Sequence, residues 1–268
     1  MRALVAIDGS ECSGVAIELV SGLRWPAGTE IRVLEVVPTG AAVFGGPWPP
    51  VPPIDSGSID QSIREQASRD LQAAAEALAG PGRSVETTVA SGRPGDTITS
   101  MAEQFDADLI VVGSRGHGTL ETMLLGSVSS EVIDHAHVPV LVARGREIRR
   151  VLFAWDGSER AEAAVAPLTV WGIFGETHVD VLSIADAEPP WWTRAGMVSE
   201  ETAAEAYHEA AAPSRRQHEE MAAQMAQWLR TAGLMAVPLS REGDPAETIV
   251  AFAEAHAVDL IVLGTHGR

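Results

Sequence analysis

The chain has 268 residues, of which 46% are hydrophobic, and its 37 Asp and Glu against 19 Lys and Arg give a formal charge of -18. That length accommodates two domains of ordinary size, while the acidic balance excludes a nucleic-acid partner gripped by a general positive surface. The single cysteine, Cys12, excludes an intrachain disulfide and a multi-cysteine metal site, and it fits a reducing cytoplasm.

The residues from Met1 to Ile7 form a short apolar run that stops at Asp8-Gly9-Ser10, too early for the core of a secretory leader. No apolar run approaches the length of a bilayer span, so a cytoplasmic protein without a membrane partner is expected. In chain order, Arg2 to Ile7 reads as a buried strand, and Ser13 to Leu23 sets Ala16, Leu19, Val20 and Leu23 on one helical face. Ile31 to Val37 is a second strand, Ile59 to Ala79 an alanine-rich amphipathic helix, and Ser84 to Val89 a third strand. Pro94 opens a helix that runs to Phe105, with proline suited to its first turn. Asp108 to Val112 is the fourth strand, Ser127 to Ala136 the last helix and Val138 to Ala143 the fifth strand. Strands alternating with helices predict an α/β fold with a parallel sheet covered on both faces.

The same landmarks then return. Ala3-Leu-Val-Ala-Ile-Asp-Gly-Ser10 is echoed by Val151-Leu-Phe-Ala-Trp-Asp-Gly-Ser158, and Ser91-Gly-Arg-Pro-Gly-Asp-Thr-Ile98 by Glu242-Gly-Asp-Pro-Ala-Glu-Thr-Ile249. Shared order at a spacing of this size indicates a duplicated domain rather than a solenoid repeat. We place the domains at residues 1–145 and 146–268, with the junction in the short charged stretch Arg144 to Arg149.

The first copy carries Gly113-Ser114-Arg115-Gly116 directly after its fourth strand, and Gly126-Ser127 at the start of its last helix. Glycine there lets bare backbone N–H groups approach an anion, and the opening turn of a helix adds further unpaired N–H groups. Ser127 and Ser129 supply hydroxyls and Arg115 a positive charge, so the pattern reads as a phosphate cradle; an ordinary glycine-punctuated loop is the competing reading. The second copy begins the same turn at Gly264-Thr265-His266-Gly267 and the sequence stops at Arg268, so its last helix and strand are expected to be missing. Ligands of such sheets bind beyond the carboxyl ends of the strands, where these turns lie.

Two proline-rich stretches, Pro38 to Ser58 and Asp186 to Ser199, interrupt the rhythm after the second strand of each copy. Their Trp48, Trp191 and Trp192 either pack back on their own domain or present a lid or partner surface. Catalytic signatures are absent: there is no G-x-x-x-x-G-K-[S/T] loop, kinase set or G-x-S-x-G elbow. His117, His135 and His137 lack a spacing that compels metal binding, and His135 and His137 suit a contact with the end of the last helix. Cys12 reads as a small side chain after the first strand, with reactivity as the alternative.

Taken together, the chain resembles a tandem member of the universal stress protein family, whose nucleotide signature G-x2-G-x9-G-[S/T] fits Gly113, Gly116, Gly126 and Ser127 without a gap. The opening V-A-I-D-G-S, the G-x-P element and the closing Val138-Pro-Val-Leu-Val142 belong to the same resemblance. It implies two Rossmann-like, adenine nucleotide alpha hydrolase-like domains, each with a five-stranded parallel sheet, the second without its last helix and strand. It also implies ATP binding, with Mg as a candidate companion of unassigned ligands, and a homodimer or an intramolecular pseudo-dimer. By position, Ala6, Ile7 and Asp8 would line the nucleoside, Val36 would meet adenine through its backbone, and Gly113, Arg115, Gly116, Gly126, Ser127, Val128 and Ser129 would hold the phosphates. Asp8 has a second reading as a turn or helix-capping residue. Asp156, Ile184, Gly264, His266 and Gly267 would form a weaker second site. The resulting expectation is a nucleotide-dependent regulatory protein of the stress response, not an enzyme beyond slow ATP hydrolysis. A nucleotide-free interaction module of the same fold is the alternative, and the protein partner is unknown.

Overall fold

The computed structural model describes residues 1–37, 56–115, 125–174, 177–185 and 199–264. They divide into two compact units, one spanning Met1–Glu147 and one beginning at Ile148. The tryptophan-bearing stretches around Trp48, Trp191 and Trp192 lie outside the described residues, as do Gly116, His117, His266 and Gly267.

In the first unit, strands β1 (Arg2–Ile7), β2 (Thr29–Val37), β3 (Arg83–Ser91), β4 (Leu109–Gly113) and β5 (Val140–Ala143) form one sheet in the order β3-β2-β1-β4-β5, every neighbouring pair parallel. β1 and β4 are central, so both faces of each are covered and their sequences are continuous apolar runs rather than alternating ones. β3, at the edge, is mostly half-exposed or exposed and carries charge. Helices α1 (Glu11–Gly22) and α2 (Ser56–Leu78) pack on one face, and α3 (Pro94–Gln104) and α4 (Ser127–His135) pack together on the other.

The second unit repeats this plan with β6 (Arg150–Ala154), α5 (Glu159–Val170), β7 (His178–Ala185), α6 (Glu200–Thr231), β8 (Met235–Glu242), α7 (Pro245–Ala255) and β9 (Leu260–Val262). Its sheet has four parallel strands among the described residues, in the order β8-β7-β6-β9, without counterparts of α4 and β5. The registers coincide: Ala3 sits opposite Leu109 in the first unit as Val151 sits opposite Leu260 in the second. One clasp recurs as well. Asp108 accepts the Arg2 N–H at 2.7 Å, and Asp259 accepts the N–H groups of Arg149 and Arg150 at 2.9 Å each, tying the start of the first strand to the start of the fourth in both units.

Element boundaries shift where caps and proline decide them. α1 begins at Glu11 instead of Ser13 because Ser10 caps it, and β5 begins at Val140, after Pro139, whose missing N–H cannot enter the ladder. The G-x-P elements have a positional meaning: the N–H of Gly92 donates to the Val37 carbonyl at 3.2 Å, and that of Gly243 to the Ala185 carbonyl at 3.3 Å. Each pins the end of the third strand to the end of the second, at the edge where the turns of interest lie. No helix among the described residues is long and apolar enough to cross a membrane.

Candidate functional site

The strand order reverses between β1 and β4, and in sheets of this kind ligands bind beyond the carboxyl ends of the strands at such a switch point. Asp8 leaves β1 there and enters a tight turn in which Gly9 takes a left-handed φ of 73°. The Asp8 carboxylate, through Oδ1, accepts the Ser10 N–H at 3.1 Å and the Ser13 hydroxyl, while Ser13 Oγ accepts the Asp8 N–H at 3.0 Å. Ser10 Oγ in turn accepts the Ser13 N–H and caps α1. The second unit builds the same joint: Gly157 has φ 79°, Asp156 Oδ1 accepts the Ser158 N–H at 2.9 Å, and Ser158 Oγ accepts the Ala161 N–H at 3.2 Å. The Asp-Gly-Ser landmark is therefore a strand-to-helix joint in both copies, and the turn-forming reading of Asp8 is realised. From sequence, Ser10 and Ser13 after Asp8-Gly9 do not reproduce the S-G-G-x-D-S loop of adenylating enzymes, and the part Ser13 plays in this joint is signalled only by its spacing from Ser10.

At the end of β4 the two parts of the glycine motif meet. The Gly126 N–H donates to the Ser114 carbonyl at 2.7 Å, and the Ser114 N–H to the Ala143 carbonyl at 3.1 Å. Gly126 is the N-cap of α4 and contributes no side chain, so the N–H groups of Ser127, Val128 and Ser129 have neither an intrahelical acceptor nor a side-chain cap. Their aligned dipoles leave partial positive charge at this point. Ser127 is exposed at this point, and Arg115, two residues past the end of β4, is exposed with no ion pair to any described residue. Helices α1, α5 and α7 differ, each being capped by a side chain: Ser10, Ser158 and Asp244.

Several predicted site residues are used internally. Ser129 is 4% exposed and donates its hydroxyl to the Gly113 carbonyl at 2.7 Å, fixing the first turn of α4 to the end of β4. Gly113 is required by packing: a Cβ there would lie 3.0 Å from the carbonyl carbon and oxygen of Cys12. Gly264 repeats the requirement, since its Cβ would meet Ala161 N at 2.7 Å and Arg160 C at 2.8 Å. Both strand-end glycines thus let the first helix of their unit close on the sheet. Ala6 and Ile7 are buried, and Val36 and Val128 pack against the core, so these four offer a ligand their backbone and not their side chains. Ser114, buried between the glycines, directs its hydroxyl to Cys12 Sγ at 3.8 Å.

In the second unit, Asp156 holds its turn, Ile184 pairs with Arg241 and packs on the core, and Gly264 ends the described chain. Buried Ser183 donates to the Trp155 carbonyl at 2.7 Å and receives His218 Nδ1 at 2.8 Å, so this strand edge carries its own polar contacts. His135 contacts the helix end as its position suggests, Nδ1 donating to the Glu131 carbonyl at 2.8 Å, whereas His137 faces Glu103 at 3.7 Å. Among the described residues no group of three or more His, Cys, Asp or Glu is placed to hold a metal ion.

The family model described as "Universal stress protein family" matches residues 1–144 and 147–268. The universal stress protein YxiE of Bacillus subtilis strain 168 is 35% identical over 147 residues, covering 53% of this chain and 98% of its own. The crystal structure of a universal stress protein from Archaeoglobus fulgidus shares the fold over 97% of this chain and 85% of its own, with a TM-score of 0.63 and 22% identity. An Arabidopsis thaliana universal stress protein family protein with AMP bound matches 53% of this chain and 90% of its own at 22% identity and a TM-score of 0.37.

Proposed function

We propose that this chain, which belongs to the universal stress protein family, binds ATP in a first domain of residues 1–145 and acts as a nucleotide-dependent regulatory protein rather than a catalyst. The observation that carries this reading is the junction of β4 and α4, where the Gly126–Ser114 hydrogen bond brings a helix start without a side-chain cap to the switch point of the sheet. An anion is the natural complement of such a start. The N–H groups of Ser127, Val128 and Ser129 and the Arg115 guanidinium would hold phosphate, and the backbone of Ala6, Ile7 and Val36 would meet the nucleoside. Asp8 contributes chiefly by holding the β1 edge, its Oδ1 already accepting two hydrogen bonds. ATP supplies charge and shape that bias the conformation or association of the protein; any Mg arrives with the phosphates. The 146–268 domain binds more weakly, since its Gly-x-x-Gly turn carries His266, mostly neutral at pH 7, where the first copy has Arg115. Action in the cytoplasm as a homodimer or pseudo-dimer completes the proposal.

A second reading, a nucleotide-free interaction module, is favoured by one specific fact: Asp8 Oδ1, the Ser129 hydroxyl and Gly113 all have structural roles that account for their presence. Calorimetric titration of ATP into the wild-type chain and Ser127→Asp separates the two. Ser127 is exposed at the first position of α4, where an acidic side chain suits the helix dipole and leaves the fold intact. The carboxylate would repel phosphate, and a loss of at least about tenfold in affinity, with thermal stability unchanged or raised, is expected. Absence of ATP binding by the wild-type chain would leave the nucleotide-free module as the function.

A further inference from the structure

Among the described residues, α1, α5, α6 and α7 each begin with a side-chain cap, from Ser10, Ser158, Ser199 and Asp244, whereas the neighbouring α3 and α4 of the first unit begin at Arg93 and Gly126 without one. Arg93 is the more unusual of the two. It occupies the N-cap of α3, where the helix dipole already leaves partial positive charge, so a guanidinium there opposes the dipole instead of complementing it. The second unit has the ordinary solution at the matching place in its G-x-P element: Asp244 caps α7 by accepting the Glu247 N–H at 2.9 Å. Arg93 is also weakly held. Its side chain is 74% exposed, with Nε 3.8 Å from Asp96 Oδ2 and Nη2 3.4 Å from Glu131 Oε1, and exposed pairs of this length contribute little to stability. A residue that works against its own helix in this way marks a use other than stability.

Its placement supplies that use. Gly92, the residue before it, donates its N–H to the Val37 carbonyl at the end of β2, beside Val36. On the other side, Glu131 lies one helical turn after Ser127 along α4, since residues four apart stack on one helical face. Gly95, in the first turn of α3, permits the approach, because the Glu131 carboxylate occupies the space that a Cβ there would take. The Arg93 guanidinium thus stands beside a residue one turn along α4 from Ser127, where the helix starts without a side-chain cap. Building on ATP binding at that helix start, on which the inference rests, we propose that Arg93 is a specificity-determining residue of the first unit: it exchanges Glu131 for the outer phosphates of ATP and so makes the site prefer a nucleoside triphosphate to a monophosphate. The N–H groups of the α4 start and Arg115 serve the phosphate nearest the helix, whereas a triphosphate extends its charge beyond them and draws in a second cation. A guanidinium suits that task because its paired N–H donors match phosphate oxygens. Leaving Glu131 costs no more than an exposed ion pair.

Calorimetric titration of ATP and AMP into the wild-type chain, Arg93→Gln, Arg93→Lys and Glu131→Gln tests this at low salt, where exposed charges are least screened. The wild-type chain should bind ATP more tightly than AMP. Arg93→Gln should weaken ATP by at least about fivefold and AMP by less than about twofold, and Arg93→Lys should recover part of the loss. Glu131→Gln, which removes the competing carboxylate, should tighten ATP. Without nucleotide, the melting temperature of Arg93→Gln should be unchanged or raised, a result that a purely structural Arg93 would not give. Equal binding of ATP and AMP by the wild-type chain, equal loss of both in Arg93→Gln, or an ATP affinity indifferent to Arg93→Gln would overturn the proposal and leave ATP binding by the first unit standing. A wild-type chain that binds no ATP removes both.

Discussion

Replacing Gly113 with alanine puts a methyl group 3.0 Å from the carbonyl carbon and oxygen of Cys12 and 3.2 Å from its Cβ. Comfortable carbon contacts lie at about 3.5–4.0 Å, so the first turn of α1 must retreat by about 0.5 Å. Overpacking of that kind costs about 1–3 kcal/mol. Alanine also restricts the unfolded chain relative to glycine, which returns about 0.4–1 kcal/mol. The net loss is then about 0–2.6 kcal/mol, centred on about 1.3 kcal/mol, and at about 2–4 °C per kcal/mol for domains near this size the central value lowers the melting temperature by about 3–5 °C. Gly14→Ala is the internal control, because Gly14 lies within α1 and its added Cβ meets nothing within 4 Å. That change should stabilise by about 0.5–1 kcal/mol. Scanning calorimetry should therefore show one transition moving up with Gly14→Ala and down with Gly113→Ala. If both substitutions raise it, the joint between β4 and α1 has slack and close packing is not the reason for glycine at 113.

Two further substitutions probe the second unit. Asp180 is 1% exposed and accepts from Arg150 Nε at 2.6 Å and His178 Nε2 at 3.1 Å. Asp180→Ala should lower stability by about 2–3 kcal/mol, less than for a fully buried pair because Arg150 reaches solvent, and urea denaturation should show a lower midpoint with an unchanged slope. Ser158→Ala removes the cap on Ala161 N–H and should cost about 1 kcal/mol by the same measurement; a neutral result would mean that the repeated Asp-Gly-Ser joint rests on its aspartate and glycine alone.

The gap between motif and geometry lies at particular residues. Gly113 stands in a phosphate-binding pattern, yet its Cβ position is closed by Cys12, a residue 101 positions away that no local spacing could connect to it. Ser129 reads as a hydroxyl available to an anion and is instead buried on the Gly113 carbonyl. Asp8 supported two readings, and the turn-forming one was legible because its partners, Ser10 and Ser13, lie within five residues. Gly126 as the start of a helix was legible too, since the apolar spacing of Val128, Val132 and Ile133 marks the helix without reference to the rest of the chain.

By itself the sequence determined what is local or repeated: the alternation of strands and helices, the duplication, the Asp-Gly-Ser joint, and the family. Each depends on residues close in the chain or on the chain compared with itself, so periodicity and spacing suffice. The tertiary structure decided which side chains face inward and why both strand-end glycines are needed. Those outcomes depend on strand order and register, which bring β4 against β1 and α1 across about a hundred residues. Burial and close contact are settled only when such distant segments meet, and no short pattern encodes that meeting.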